Sequence, residues 1–323
     1  MDPFLLFSLT LAIATPIGFA SLGGMYSEKS GVVNIGLEGM MLTGAFAAVW
    51  ITHETGDPWA GVIGSIVAGV LMGLLHAVAS IKFRADQVVV GVAINILASG
   101  ITTLGIVAVW ETQGQSDGVT PLQNISMEFL TNIPIIGQFL YDVTGGEVGL
   151  SPLIYVFIAV IIISGWVIQR TKFGLRMRAV GEHPRAADTL GINVFKMRYI
   201  AVILSGILAS LGGAQLTLGW VPIFGKDMTT GRGFVALAAL IFGAWHPIGA
   251  GLASLLFGFT YAFRFQLDAV LPTLGWEWVI LGLHLEDLTN ALPFVFTILA
   301  VATIAKRMRP PAADGIPYIK EGT

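Results

Sequence analysis

Apolar runs of membrane length recur through this chain, at about 4–24, 34–52, 59–80, 88–110, 150–169, 199–220 and 289–305, with a longer run over 233–265. About 20 apolar residues is the length that crosses a hydrocarbon core as a helix. A backbone crossing lipid must satisfy its hydrogen bonds within each segment, so the fold class is an all-α polytopic membrane protein. Trp245-His246-Pro247 interrupts the longest run and divides it into two shorter spans. That gives about nine transmembrane helices, within a range of about eight to ten, some of them short or broken. Composition agrees. The chain is 55% hydrophobic and 11% charged, against roughly 25% charged in a soluble domain. The absence of cysteine excludes disulfides and thiolate chemistry.

Charge placement gives an orientation. With the N-terminus outside and the C-terminus inside, the inner loops hold Lys29, Lys82, Arg84, seven basic residues between 170 and 198, and Lys306, Arg307, Arg309 and Lys320. Only Lys226, Arg232 and Arg264 remain outside, and the outer loop 111–149 carries five acids and no base. The opposite orientation would violate the positive-inside bias. Residues 1–305 then form a single transmembrane domain that contains the basic loop 170–198, and 306–323 form a basic, Pro-containing tail expected to be loosely ordered. Met1-Asp2-Pro3-Phe4 lacks the basic region of a cleaved leader, so the first span is expected to be retained.

A span, a turn and a Gly-rich segment occur at 4–50 and again at 199–245, starting outside in the first copy and inside in the second. Opposed directions describe an inverted repeat, a design that places a substrate path at the repeat interface. Gly61, Ser65, Gly69 and Gly73 recur every fourth residue and make a smooth helix face for close helix packing, as do Gly206 and Ser210.

Two segments carry the candidate functional residues. Ser30 to Met41 sets Asn34 and Glu38 four residues apart, on one helix face, among glycines that include Gly36 and Gly39. A carboxylate at the bilayer centre costs on the order of 3 kcal/mol, so Glu38 must line a polar cavity, lie near an interface or be protonated. Two readings stand for Glu38: it borders a path, or it hydrogen-bonds nearby backbone and holds a broken helix in shape. Asn95 and Gln215 are either lumen-facing or interhelical hydrogen-bonding residues, and Phe234, after Gly231-Arg232-Gly233, either stacks on a flat ring or packs. In the basic loop, Pro184 suits a helix start and Gly191 a helix end, which predicts a short helix on the inner face. Its Ala186 and Ala187 would fit a groove on a partner. No G-x-x-x-x-G-K-[ST] occurs, and the five histidines lack metal-ligand spacing, so neither direct ATP binding nor a metal site is expected. The basic residues form no aromatic-interleaved patch for nucleic acid.

The stretches GVVNIGLEGMMLTGAF at Gly31–Phe46 and RAVGEHPRAADTLGIN at Arg178–Asn193 resemble permease subunits of bacterial ABC importers, in the branch associated with nucleosides and simple sugars within a wider branched-chain amino acid and ribose family. His183 stands where this branch often has Asn. The resemblance implies a multi-pass inner-membrane permease paired with a homologous second permease chain as a heterodimer, separate ABC ATPase subunits carrying ATP and Mg, and an extracellular substrate-binding lipoprotein. It implies no cofactor on this chain, and import by alternating access. It assigns ATPase coupling to Arg178, Gly181, Glu182, His183, Pro184, Arg185, Ala186, Ala187 and Gly191. The substrate path is expected along Asn34, Glu38, Gly39, Asn95 and Phe234. The alternative is a proton-coupled secondary transporter using Glu38, which would leave the basic loop without a task.

Overall fold

The computed structural model describes residues 3–126, 149–270, 279–280, 283–284, 295 and 309–320. The expected span 289–305 and the apolar middle of the outer loop, 127–141, lie outside these apart from residue 295. The described helices are α1 (Pro3–Lys29), α2 (Leu37–Thr55), α3 (Pro58–Ala77), α4 (Gln87–Trp110), α5 (Pro152–Arg170), α6 (Lys172–Glu182), α7 (Pro184–Thr189), α8 (Val194–Thr217), α9 (Arg232–Phe242) and α10 (Pro247–Val270). A π-turn, Val78–Lys82, continues α3. Only two-residue β ladders accompany them among the described residues. Among the described residues, six helices (α1, α3, α4, α5, α8 and α10) are long and apolar enough to cross a membrane.

Local sequence sets the helix ends. Asp57 accepts the Trp59 N–H ahead of Pro58, and Asp86 accepts the N–H groups of Val88 and Val89. Thr171 and Asn193 cap α6 and α8 in the same way, each satisfying a donor that the first turn leaves free. Gly56 closes α2 with φ of 72°.

Two segments depart from simple spans. Helix α1 ends at Lys29, and residues 30–36 run without helical structure before α2 begins at Leu37. The run 233–265 breaks where expected, at Ala244 and Trp245, both with positive φ. Its first part, however, is the 11-residue α9, about 16 Å long at 1.5 Å per residue, half of a hydrocarbon core and too short to be a span. Arg232, expected outside, opens this half-helix instead; its guanidinium donates to Met228 O, Thr229 O and Thr230 Oγ1.

Helices α1 and α8 cross antiparallel at the centre, with Gly23 against Ser205 and Gly212 against Pro16. Around this pair the packing repeats with reversed sense. Helix α10 lies on α1, and α3 lies on α8; α9 packs on α1 and α10, while α2 packs on α8 and α3. The units α1–α2–α3 and α8–α9–α10 thus contact each other reciprocally, which extends the expected echo by one helix.

The small-residue face of α3 serves intramolecular packing. Ser65 Oγ donates to Ser210 O at 2.7 Å, and a Cβ on Gly69 would lie 2.5 Å from Gly206 O. Such an approach leaves no room for a side chain. We expect Gly69→Val to destabilise the protein by about 1–3 kcal/mol, read as a lower thermal midpoint in detergent. Gly100→Ala, where an added Cβ meets nothing within 4 Å, should leave the midpoint unchanged.

Candidate functional site

Two helix N-termini meet where the chain is broken. Residues 30–36 are held by side chains from three helices. Gln87 Oε1 accepts the Val33 N–H at 2.6 Å, and His76 Nε2 lies 3.1 Å from Val33 O. Asn34, fully buried, accepts the Gly36 N–H at 3.0 Å and donates to Ser205 Oγ at 2.9 Å. Asn95 accepts the Gly39 N–H at 2.8 Å and donates to Ile35 O at 3.1 Å. All but the Asn34–Ser205 bond satisfy backbone groups that the interrupted helix leaves open, as burial of backbone polar groups requires.

Glu38 joins the two halves. Its Oε1 accepts the Gly231 N–H at 2.8 Å and its Oε2 the Gly233 N–H at 2.6 Å. The carboxylate therefore sits on the free N–H groups and positive dipole end of α9, the strongest capping arrangement available there. The backbone-holding reading of Glu38 describes this geometry. Gly39 is buried, and a Cβ there would lie 2.8 Å from Ile94 O. Phe234, in the first turn of α9, is 49% exposed. Gln215 lies apart from this group and accepts from Ser151 Oγ at 2.9 Å, an interhelical bond.

The segment from α8 to α9 descends along α4. Phe224 packs edge-on against Phe46, whose ring lies against Gly105. Asp227 then accepts from Ser99 Oγ at 2.7 Å, and Gly231 reaches Glu38. Sequence reasoning passed over Ser99, Asp227 and Ser205. The polar run Lys226-Asp227-Met228-Thr229-Thr230 between apolar segments was a signal, read as an ordinary outer loop. Among the described residues no group of three His, Asp or Glu could hold a metal.

At the other end of the bundle, α6 and α7 occupy the basic loop, and α7 is the short helix that Pro184 and Gly191 predict. His183 precedes Pro184 at the first position of α7, and Gly191 follows its end with φ of 80°. Arg178, Glu182, His183, Arg185, Ala186 and Gly191 are exposed, whereas Pro184 is half-buried. Gly181 and Ala187 face inward: a Cβ on Gly181 would collide with Lys29 O, and Ala187 is buried. These two seat the helix pair, and the exposed residues make the accessible face.

The tail is ordered over 309–320, contrary to expectation, because it is strapped across α6–α8. Ala313 N–H donates to Gly181 O at 2.8 Å, and Ala312 N–H to Glu182 Oε2 at 3.3 Å. Arg198, 2% exposed, donates to Ser30 O and to Ile316 O. Tyr318 is buried against Phe195, and Lys320 pairs with Asp188 at 3.8 Å. Burial pushes the Asp314 carboxyl up to about 7, against the opposing pull of the Gly315 N–H and the Arg198 charge.

The family model described as the branched-chain amino acid transport system / permease component matches residues 6–301. The guanosine ABC transporter permease protein NupQ of Bacillus subtilis is 42% identical, with 96% of this chain and 95% of NupQ covered. The nucleoside ABC transporter permease protein NupC of Lactococcus lactis is 38% identical, with 96% and 95% covered. A second Bacillus subtilis guanosine permease protein, NupP, is 27% identical, with 77% of this chain and 70% of NupP covered.

Two outcomes follow from this geometry. Glu38→Gln would set an amide N–H against a backbone N–H of α9; we expect a loss of about 1–3 kcal/mol, read by thermal unfolding in detergent. Asp314 binds its proton more tightly in the folded chain than at its ordinary value of 3.8. Its contribution is therefore complete below that value and is lost as pH rises through about 7. The thermal midpoint should fall across that window, and Asp314→Asn should flatten the profile.

Proposed function

We propose that this chain, which belongs to the branched-chain amino acid transport system / permease component family, is the permease subunit of an ATP-driven ABC importer for nucleosides. The near full-length identity to two nucleoside permeases carries the reading. It is a multi-pass protein of the bacterial inner membrane, and it transports rather than catalyses. The pair of related guanosine permease proteins in one bacterium supports a homologous second permease chain as partner. ABC ATPase subunits supply the energy with their own ATP and Mg, and an extracellular lipoprotein delivers the nucleoside.

The end of the bundle that bears α6, α7 and the tail is the cytoplasmic end in this reading. Lys29, Lys82, Arg170 and Lys196 all lie at helix ends or starts there, and Glu54, Asp57, Glu111 and Asp117 lie at the opposite ends, as the positive-inside bias requires. Helix α7 docks on the ATPase through Glu182, His183, Arg185 and Ala186, with Arg178 and Gly191 at the margin and Pro184 fixing the helix start. Gly181 and Ala187 transmit its motion to α1 and α8. Two states with different partner contacts are sufficient for alternating access. The path runs past Asn95 and Phe234, over a floor made by Asn34, Glu38 and Gly39. With both its oxygens bonded to α9, Glu38 is poorly placed for the proton-coupled alternative.

Proteoliposomes holding both permeases, the ATPase and the binding protein should take up labelled guanosine only with ATP. Uptake by this chain alone, driven by a proton gradient, would refute the proposal. Ala186→Trp, on the exposed face of α7, should cut ATP-driven uptake at least about tenfold, a loss of about 1.4 kcal/mol in coupling, without moving the thermal midpoint.

A further inference from the structure

Asp227 is an exposed carboxylate in an unusual place. Its hydrogen-bond donor, Ser99, is the thirteenth residue of the 24-residue span α4, about 18 Å along the helix from its start. That is the middle of a hydrocarbon core about 30 Å thick. A carboxylate exposed to lipid at that depth is unfavourable, and intramembrane ionisable groups face a water-filled cavity or a protein partner. Asp227 therefore marks which flank of α4 borders the path. Asn95, one turn below Ser99, lies on the same flank.

The neighbouring charges are otherwise engaged. Both Glu38 oxygens take backbone N–H groups of α9, and the Arg232 guanidinium turns into its own loop carbonyls. Ser99 bonds Oδ1 of Asp227. A carboxylate accepts about four hydrogen bonds, so Oδ2 and the remaining lone pairs stay available for ligand donors. The backbone at Asp227 is left-handed, with φ of 51°, a conformation that Asp and Asn tolerate better than other side chains.

We infer that Asp227, oriented by Ser99, is the substrate-contact residue that accepts hydrogen bonds from the vicinal sugar hydroxyls of a nucleoside as it crosses the middle of the membrane. Two adjacent hydroxyl donors match the two oxygens of one carboxylate. Phe234, exposed in the first turn of the helix that follows, supplies an apolar face for the base. The inference rests on the nucleoside reading and names the group that reads the sugar.

The test is ATP-driven uptake by the complete transporter of labelled guanosine and of 2′,3′-dideoxyguanosine, each at the same binding-protein concentration. Comparing variants with the unmodified transporter cancels the binding protein's own preference. The unmodified transporter should favour guanosine. Asp227→Asn keeps the backbone conformation and an acceptor for Ser99 while removing the charge. It should lower guanosine uptake about tenfold, the ratio that one lost charged hydrogen bond produces, and change dideoxyguanosine uptake less than about twofold. Ser99→Ala should shift the ratio the same way by a smaller factor. The thermal midpoint should hold in both. An unchanged ratio, or an equal fall for both substrates, in a transporter that imports guanosine overturns this inference alone. A transporter that imports no nucleoside overturns the function reading and this inference together. Should Asp227→Asn fail to assemble, an unmoved ratio in Ser99→Ala overturns the inference.

Discussion

A helix that stops inside a membrane must find partners for the backbone groups it leaves open, and that requirement organises the centre of this protein. The carboxylate of Glu38 meets it for α9, and Asn34, Asn95 and Gln87 meet it for the segment before α2. The Gly231 and Gly233 N–H groups tie one half to the other, and the Val33 and Gly39 N–H groups tie the first half to α4. The polar residues near the midplane are thus first a frame. The frame engages Glu38, Asn34 and Asn95 with backbone groups, whereas Asp227 and Phe234 are exposed.

The reversed repeat follows from the same requirement. Two units that pack on each other reciprocally bring the starts of α2 and α9 together. Backbone contacts at Gly23, Gly69, Gly206 and Gly212 let the long helices approach closely enough to hold that arrangement. In lipid, where apolar surface gains little from associating, close approach of small residues is a principal source of packing.

Much of this was legible in the residues. Runs of apolar residues gave most of the spans, and the Gly61–Gly73 spacing gave the α3 seam. Pro184 and Gly191 bracketed α7 correctly, because capping depends on near neighbours. What was hidden depends on distant partners. Two readings of Glu38 stood open in the sequence because its donors, Gly231 and Gly233, are almost 200 residues away along the chain and carry no side-chain signature. The α9 segment read as a span because hydropathy registers composition and not length within a continuous helix. The tail read as loose because a Pro-Pro, charged sequence gives no sign of the buried Arg198, more than 100 residues earlier, that fastens it. Asp227 was overlooked because a polar loop reads as external until its depth is known.

The strap across α6–α8 has a mechanical consequence. A free surface helix on a slack tether would absorb a push by bending. Here the backbone bond from Ala313 to Gly181 and the anchor of Ile316 on Arg198 remove that slack, while the exposed Lys320–Asp188 pair adds little. Helix α7 is thereby carried on a stiff base: α6 before it and α8 after it are both fastened to the same segment of the tail.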